Sequence, residues 1–237
     1  MNFLRQGMGL YRRSRALRAS VSFVAAILAA PYLLVVLYSV VNPVSTLMAW
    51  RWVTGQRVER TYVPLARMAP ALPLTVIAAE DARYCSHIGV DFQELREIVQ
   101  EAEDFDSLRG GSTITQQTVK NLFLWHGRSY ARKVLEFPLA LWADFVLPKR
   151  RVLEIYLNIV EWGPSGQFGV EAAARQAFGK PARQITAGEA AVLAAVLPDP
   201  VHRNAGRSNV RRLAGIYAAR AAASPGLGNC LRPRRTP

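Results

Sequence analysis

Residues 186–198 read Thr186-Ala187-Gly188-Glu189-Ala190-Ala191-Val192-Leu193-Ala194-Ala195-Val196-Leu197-Pro198, and both ends of a helix are written in them. Thr186 with Glu189 three residues on is a capping box: each side chain takes up a backbone N–H that the first turn leaves unpaired. Everything between Glu189 and Pro198 is apolar, and Pro198 cannot donate the next helical bond. Outward from this segment the pattern stays helical. Glu171 to Phe178 is alanine-rich and stops at Gly179. Val152 to Trp162 has mixed polarity. Val134 to Val146 is apolar nearly all round, which predicts a central buried helix with a kink near its start at Pro138. Further upstream, Leu72, Val76 and Ile77 fall on one face of a segment opened by Pro73, and Glu80 continues that face. Glu94, Glu97 and Glu101 share a helical face that reads as solvated. Alternation of period two is confined to a short candidate strand near Arg60–Val63. The fold class is all-α, mainly helical, as one compact domain.

The N-terminal region has a different character. Ala19 to Val41 carries no charge over 23 residues, enough at ~1.5 Å per residue to span the ~30 Å core of a bilayer. Pro31 is tolerated there as a kink, and Tyr32 and Tyr38 are placed for the membrane interface. A cleaved signal peptide fits less well. The stretch exceeds the ~7–15 residues of a signal core, and Asn42-Pro43-Val44-Ser45 is no small-x-small cleavage site. Arg5, Arg12, Arg13, Arg15 and Arg18 precede the segment, and Arg51 is the nearest base after it, so the N-terminus is expected in the cytoplasm. The expected division is a basic cytoplasmic stretch 1–18, a transmembrane signal anchor 19–41, a periplasmic domain 42–205 and an Arg/Ala/Pro-rich C-terminal tail 206–237.

Charge follows this division. The net +13 comes from 30 Lys+Arg against 17 Asp+Glu, and residues 19–202 are balanced. The excess sits in the first eighteen residues and from Arg203 onward, so the basic balance does not indicate a nucleic-acid-binding domain. The basic tail is expected to rest on anionic lipid. Cys85 and Cys230 read as two separate packing cysteines, a bridge being the alternative in an oxidising compartment. His87, His126 and His202 stand without Cys-x-x-Cys or His-Glu-x-x-His, which gives no zinc motif.

Three clusters carry candidate chemistry. Glu80, in the run Glu80-Asp81-Ala82-Arg83-Tyr84-Cys85-Ser86-His87-Ile88-Gly89, ends an apolar helical face, where poor solvation raises a carboxyl toward the range of a general base; pairing with Arg83 is the plainer alternative. In Gly110-Gly111-Ser112-Thr113-Ile114-Thr115-Gln116-Gln117, followed by Lys120 and Asn121, a glycine turn enters a capped helix. The N–H groups of its first turn are a candidate seat for an anion or sugar hydroxyls. Arg128, Arg132, Lys133 and Glu136 form the third: the last three share a helical face, either as a surface ion-pair network or as a cationic cradle for phosphate.

Taken together these clusters resemble the glycosyltransferase family 51 domain, the peptidoglycan transglycosylases, most closely in its monofunctional biosynthetic form. The motif Glu-Asp-x-x-Phe-x-x-His-x-Gly is met by Glu80, Asp81, His87 and Gly89, with Tyr84 in place of Phe. Gly-Gly-Ser-Thr-Ile-Thr-Gln-Gln is matched without change from Gly110 to Gln117, and Arg-Lys-x-x-Glu by Arg132, Lys133 and Glu136. A basic residue before Leu-Glu-x-Tyr-Leu-Asn is Arg150 or Arg151, leading to Leu153, Glu154, Tyr156, Leu157 and Asn158; Ala-x-Leu-Pro-x-Pro runs from Ala195 to Pro200.

The resemblance implies a lysozyme-like helical fold and polymerisation of lipid II into glycan strands, with the growing glycan chain and inner-membrane lipid as partners. Cell-wall synthesis or division proteins are further expected partners. Glu80 would be the base, and Ser112, Thr113, Gln117 and Asn121 would bind sugar or phosphate oxygens. Lys120, Arg128, Arg132 and Lys133 would meet the pyrophosphate. Glu136 would share the cleft, orienting substrate or holding a divalent cation such as Mg²⁺, with no cofactor strictly required. Ser-x-x-Lys and Lys-Thr-Gly are missing from the sequence, so no attached transpeptidase is expected. The apolar stretch Val44 to Trp52 would dip into the membrane face. Two rivals are a glycan-cleaving enzyme on the same fold, disfavoured by the phosphate-suited cations, and an inactive membrane-held scaffold, disfavoured by the intact carboxylates.

Overall fold

Thr186 caps its helix in the way its spacing predicts. Its Oγ1 accepts from the Glu189 N–H at 3.2 Å, and Glu189 Oε2 accepts from the Thr186 N–H at 2.7 Å. The computed structural model describes residues 15–101, 111–125, 127, 129–203, 205–224 and 226–232. The chain is mainly helical: α1 Arg15–Leu37, α2 Thr46–Val53, α3 Ala71–Glu80, α4 Phe92–Glu101, α5 Ile114–Phe123, α6 Tyr130–Val146, α7 Lys149–Ile159, α8 Val170–Phe178, α9 Ala187–Val196 and α10 Ser208–Ala223. The short strand expected near Arg60 has company. β1 (Glu59–Arg60) pairs in parallel with β3 (Gln167–Phe168), which pairs antiparallel with β2 (Glu161–Gly163).

The helix expected at the centre is not α6. Leu139, Ala140 and Ala143 of α6 are buried, but Val134 is 70% and Phe145 82% exposed. Its apolar circumference serves two neighbours, since the same helix also receives α1: Trp142 Nε1 donates to the Tyr32 carbonyl at 2.9 Å, and the two rings lie 6.2 Å apart. The centre belongs to α7. Leu153, Tyr156 and Leu157 join one apolar cluster with Leu72, Val76 and Ile77 of α3 and Leu193 of α9. Val152, Ile155 and Ile159 join a second with Met48, Val119, Ala140 and Phe168. The charged residues that gave this segment mixed polarity are absorbed by hydrogen bonds. Glu154 accepts from the Leu65 N–H at 2.8 Å and Tyr62 Oη at 3.0 Å, and Asn158 accepts from the Val63 N–H at 2.8 Å.

The N-terminal helix is long and apolar enough to cross a membrane, with mean hydropathy 2.3. It begins and ends earlier than the Ala19–Val41 stretch, and its last turns are packed against the domain. Val35 is buried, Tyr38 stacks on Phe123 of α5 at 6.0 Å, and Arg151 donates to the Tyr38 and Val41 carbonyls at 2.8 Å each and to Asn42 Oδ1 at 3.1 Å. The tyrosines expected at an interface therefore meet protein rings. The guanidinium closes the end of α1 where helical carbonyls lack partners.

Two expectations about the C-terminal end are corrected. Residues 208–223, read as part of a tail, form α10, which packs on α9 and α3 with Val210 and Ala214 buried. Cys85 and Cys230 are bridged, their Cα atoms 5.4 Å apart, which returns the segment 226–232 to the turn just after α3. Leu227 is buried there and Arg150 donates to the Leu231 carbonyl at 3.2 Å. Composition suggested a tail because α10 buries small residues and leaves its arginines in water.

Candidate functional site

Glu80 is the last residue of α3, and the alternative pairing with Arg83 does not form. Arg83 turns to Asp91 at 2.7 Å and Glu97 at 3.3 Å, which also accounts for part of the acidic face of α4. Glu80 Oε2 instead accepts from Gln117 Nε2 at 2.9 Å. Burial pushes its carboxyl above the ordinary range, opposed by the Gln117 bond and by the charges of Lys120 and Arg203, and aided by neighbouring Asp81. A carboxylate desolvated in this way is a stronger proton acceptor than a solvated glutamate.

The helix that supplies Gln117 is placed by motif residues that are themselves unreactive. Thr113 caps α5: its Oγ1 accepts from the Gln116 N–H at 3.1 Å and donates to the Gly89 carbonyl at 2.6 Å. Asp81, buried against His87 at 2.9 Å, accepts the Ile114 N–H at 2.9 Å. Thr113 is 2% exposed, with its hydroxyl held between the Gly89 carbonyl and the Gln116 N–H. The Ile114 and Gln116 N–H groups, read as a seat for an anion, are taken by Asp81 and Thr113. Gly89 completes the joint at φ +75°, where an added Cβ would lie 2.4 Å from the Ala140 carbonyl oxygen. Gly89→Ala is expected to destabilise the protein by about 3 kcal/mol and lower Tm by roughly 6–12 °C, checked by thermal unfolding.

A cleft of about 370 Å³ opens beside Glu80, lined also by Gln117, Lys120, Asn121, Tyr156, Glu161, Phe168, Leu197, Pro198 and Pro200. Lys120 is half-buried in the cleft lining. Burial lowers its pKa, and the charges of Glu136, Arg132, Lys133 and Glu80 all act on its ammonium. Among the described residues it makes no ion pair, which leaves it free for an anionic ligand.

The third cluster forms its shared face. Glu136 is buried and paired with Arg132 and, at 3.3 Å, with Lys133, whose Nζ also donates to Ser112 Oγ at 2.7 Å. None of these residues is in the lining of the Glu80 cleft. The Glu136 carboxylate is held by Arg132 and Lys133, and a divalent cation there would have to displace one of them. Arg128 lies outside the described residues.

Four residues were not picked out as functional by sequence reasoning. Tyr156 donates to Gln117 Oε1 at 2.9 Å; it stood in a quoted motif without a role. Asp81 was likewise quoted only as a motif residue. Glu161 lines the cleft, held by Arg51, whose number in the sequence gives no hint of the pairing. Arg203, counted only in the basic end, bears on Glu80. The departure at Tyr84 is accommodated, since its buried hydroxyl donates to the Lys149 carbonyl at 2.7 Å.

A family model described as Transglycosylase matches residues 46–221. Among curated proteins, the chain is 55% identical over 226 residues to a biosynthetic peptidoglycan transglycosylase of Rhodopseudomonas palustris (strain TIE-1), covering 94% of this chain and 95% of that one. It is 56% identical over 223 residues to the protein of that name from Nitrobacter hamburgensis, covering 93% and 98% of the two chains. Against the Brucella suis protein of that name identity is 50% over 206 residues, covering 85% and 92%.

Proposed function

This chain belongs to the transglycosylase family and is a peptidoglycan transglycosylase, and from that premise we propose that it polymerises lipid II into β-1,4-linked glycan with release of polyprenyl pyrophosphate. The observation that carries the reading is Lys120, a half-buried cation in the lining of the Glu80 cleft that feels both the Glu80 carboxylate and the charges of the Arg132–Lys133–Glu136 group. In the proposed step Glu80 takes the proton of the acceptor sugar's 4-hydroxyl as that oxygen bonds to the anomeric carbon of the donor. The bond from that carbon to the pyrophosphate oxygen breaks and the electron pair leaves with the pyrophosphate. Its growing charge is met by Lys120, Arg132 and Lys133, so the leaving oxygen needs no added proton. Attack opposite the leaving group turns an α-linked donor into a β-linked product. In this reading Asn121 and Ser112 take oxygens of the substrate, and Glu136 holds Arg132 and Lys133 in place.

The proposed setting is the outer face of the inner membrane, with α1 as a single-pass anchor and the N-terminus in the cytoplasm. The Cys85–Cys230 bridge supports a domain on the oxidising side. Trp50, Trp52 and Val53 of α2 are exposed beside the anchor, which supports contact with lipid. Glycan polymerisation without transpeptidation is proposed, since neither Ser-x-x-Lys nor Lys-Thr-Gly occurs in the sequence. The test is conversion of labelled lipid II by the detergent-solubilised protein, with long glycan as the expected product and none as the outcome that rejects the reading. Lys120→Met is expected to lower the rate about 10²-fold, with little change in Tm. Because a protonated Lys120 is required and burial lowers its pKa, the parent rate is also expected to fall on the alkaline side below the pH of an ordinary lysine. An alkaline fall that persists unchanged in Lys120→Met would assign that limb elsewhere.

A further inference from the structure

Gln117 uses every polar atom of its amide. Its Nε2 donates to Glu80 Oε2 at 2.9 Å and to the Ser112 carbonyl at 3.4 Å, and its Oε1 accepts from Tyr156 Oη at 2.9 Å. Chemistry fixes the direction of each bond. An ionised carboxylate and a carbonyl only accept, so the amide nitrogen must face them, and the amide oxygen that remains can only receive. Tyr156 must therefore be the donor. Its ring is 1% exposed, fixed in the first apolar cluster by the central helix α7.

We infer that Tyr156 is a positioning residue for glycan synthesis, acting through Gln117 to keep the Glu80 carboxylate ionised and aimed into the cleft. The inference rests on the proposed role of Glu80 as base. Donation from the phenol polarises the amide and strengthens the bond it gives to Glu80. Without that donor, Gln117 Oε1 is left without a hydrogen, and the amide is a weaker and less fixed partner for the carboxylate. Other charges also face Glu80: Asp81 from its own helix end, Lys120 from α5 and Arg203 from the segment after α9. Glu161 lines the same cleft from β2. None of these changes when the phenolic hydroxyl alone is removed.

Tyr156→Phe keeps the ring and deletes the hydrogen bond. With full-length protein in detergent, initial rates of lipid II polymerisation are measured against pH for the parent, Tyr156→Phe, Gln117→Met and the double variant. The acid limb of Tyr156→Phe is expected to move to higher pH, so that its rate is about three- to tenfold below the parent on the acid side and converges with it above the limb. Gln117→Met is expected to move the limb at least as far, and adding Tyr156→Phe to it to move the limb no further. A uniform fall at every pH, a profile coincident with the parent, or additive displacements in the double variant would overturn the relay. If Tyr156→Phe does not melt cooperatively, Gln117→Met decides: a displaced limb supports the relay and an unmoved one overturns it. An active Glu80→Gln would instead remove the base reading, whatever the profiles of the other variants.

Discussion

Glu80→Gln is expected to lower lipid II polymerisation at least about 10³-fold while leaving Tm within a few degrees of the parent. The substitution keeps the shape of the side chain, and its amide oxygen still accepts from Gln117 Nε2. What it removes is the ability to take a proton, an effect that general-base residues contribute at ~10²–10⁴-fold. The parent's pH dependence follows from the same carboxyl. Only the ionised form accepts the acceptor's proton, and burial holds that ionisation above the ordinary carboxylate range. The rate therefore falls as pH drops through the raised pKa, and the acid limb lies above that of a free glutamate. Long glycan from both proteins would overturn Glu80 as the base while leaving the family intact. Loss of activity with unchanged binding of a donor-site inhibitor would separate lost chemistry from a collapsed cleft.

The second large effect concerns the disulfide. Cys85 and Cys230 are 145 residues apart, and closing so long a loop stabilises the folded chain by about 5 kcal/mol in the chain-entropy account, within a usual range of ~2–5. Cys230→Ser is expected to lower Tm by roughly 5–20 °C in thermal unfolding, the larger figure corresponding to the full entropic term. The bridge does more than shorten the unfolded chain, since it holds Leu227 against the core that backs α3. Protease susceptibility should accordingly appear first in residues 226–232. Reduction of the parent by a thiol should reproduce the Cys230→Ser melting curve. A Tm within about 2 °C of the parent in both experiments would show that the segment is held by packing alone.

What could be read in advance was what is local. Thr113 with Gln116 and Thr186 with Glu189 form their capping boxes because both partners sit within one turn. Arg132, Lys133 and Glu136 meet for the same reason. Distance along the chain defeated the rest. The first N–H of α5 looked open to a ligand because its acceptor, Asp81, lies 33 residues earlier. Arg51 finds Glu161 across 110 residues. Exchanging α6 for α7 as the central helix has a similar cause: polarity along a segment does not say which neighbour each face meets. Arg151, Glu154 and Asn158 of α7 find their partners only because loops from residues 62–65 and the end of α1 arrive to bond them. Among the candidate site residues, Glu80, Gln117, Lys120 and Asn121 line one cleft, while Ser112, Arg132, Lys133 and Glu136 form a bonded group outside that lining.

The grip of Arg151 on the carbonyls of Tyr38 and Val41 has a mechanical consequence. Between the apolar helix and the catalytic body there is no slack tether. The two are one lever, and any tilt of α1 in a bilayer is a tilt of the cleft by the same angle. Under the proposed anchoring and polymerisation, such a linkage would hold the opening over Glu80 at one height above the lipid headgroups, and the lengthening polymer would be the part that travels.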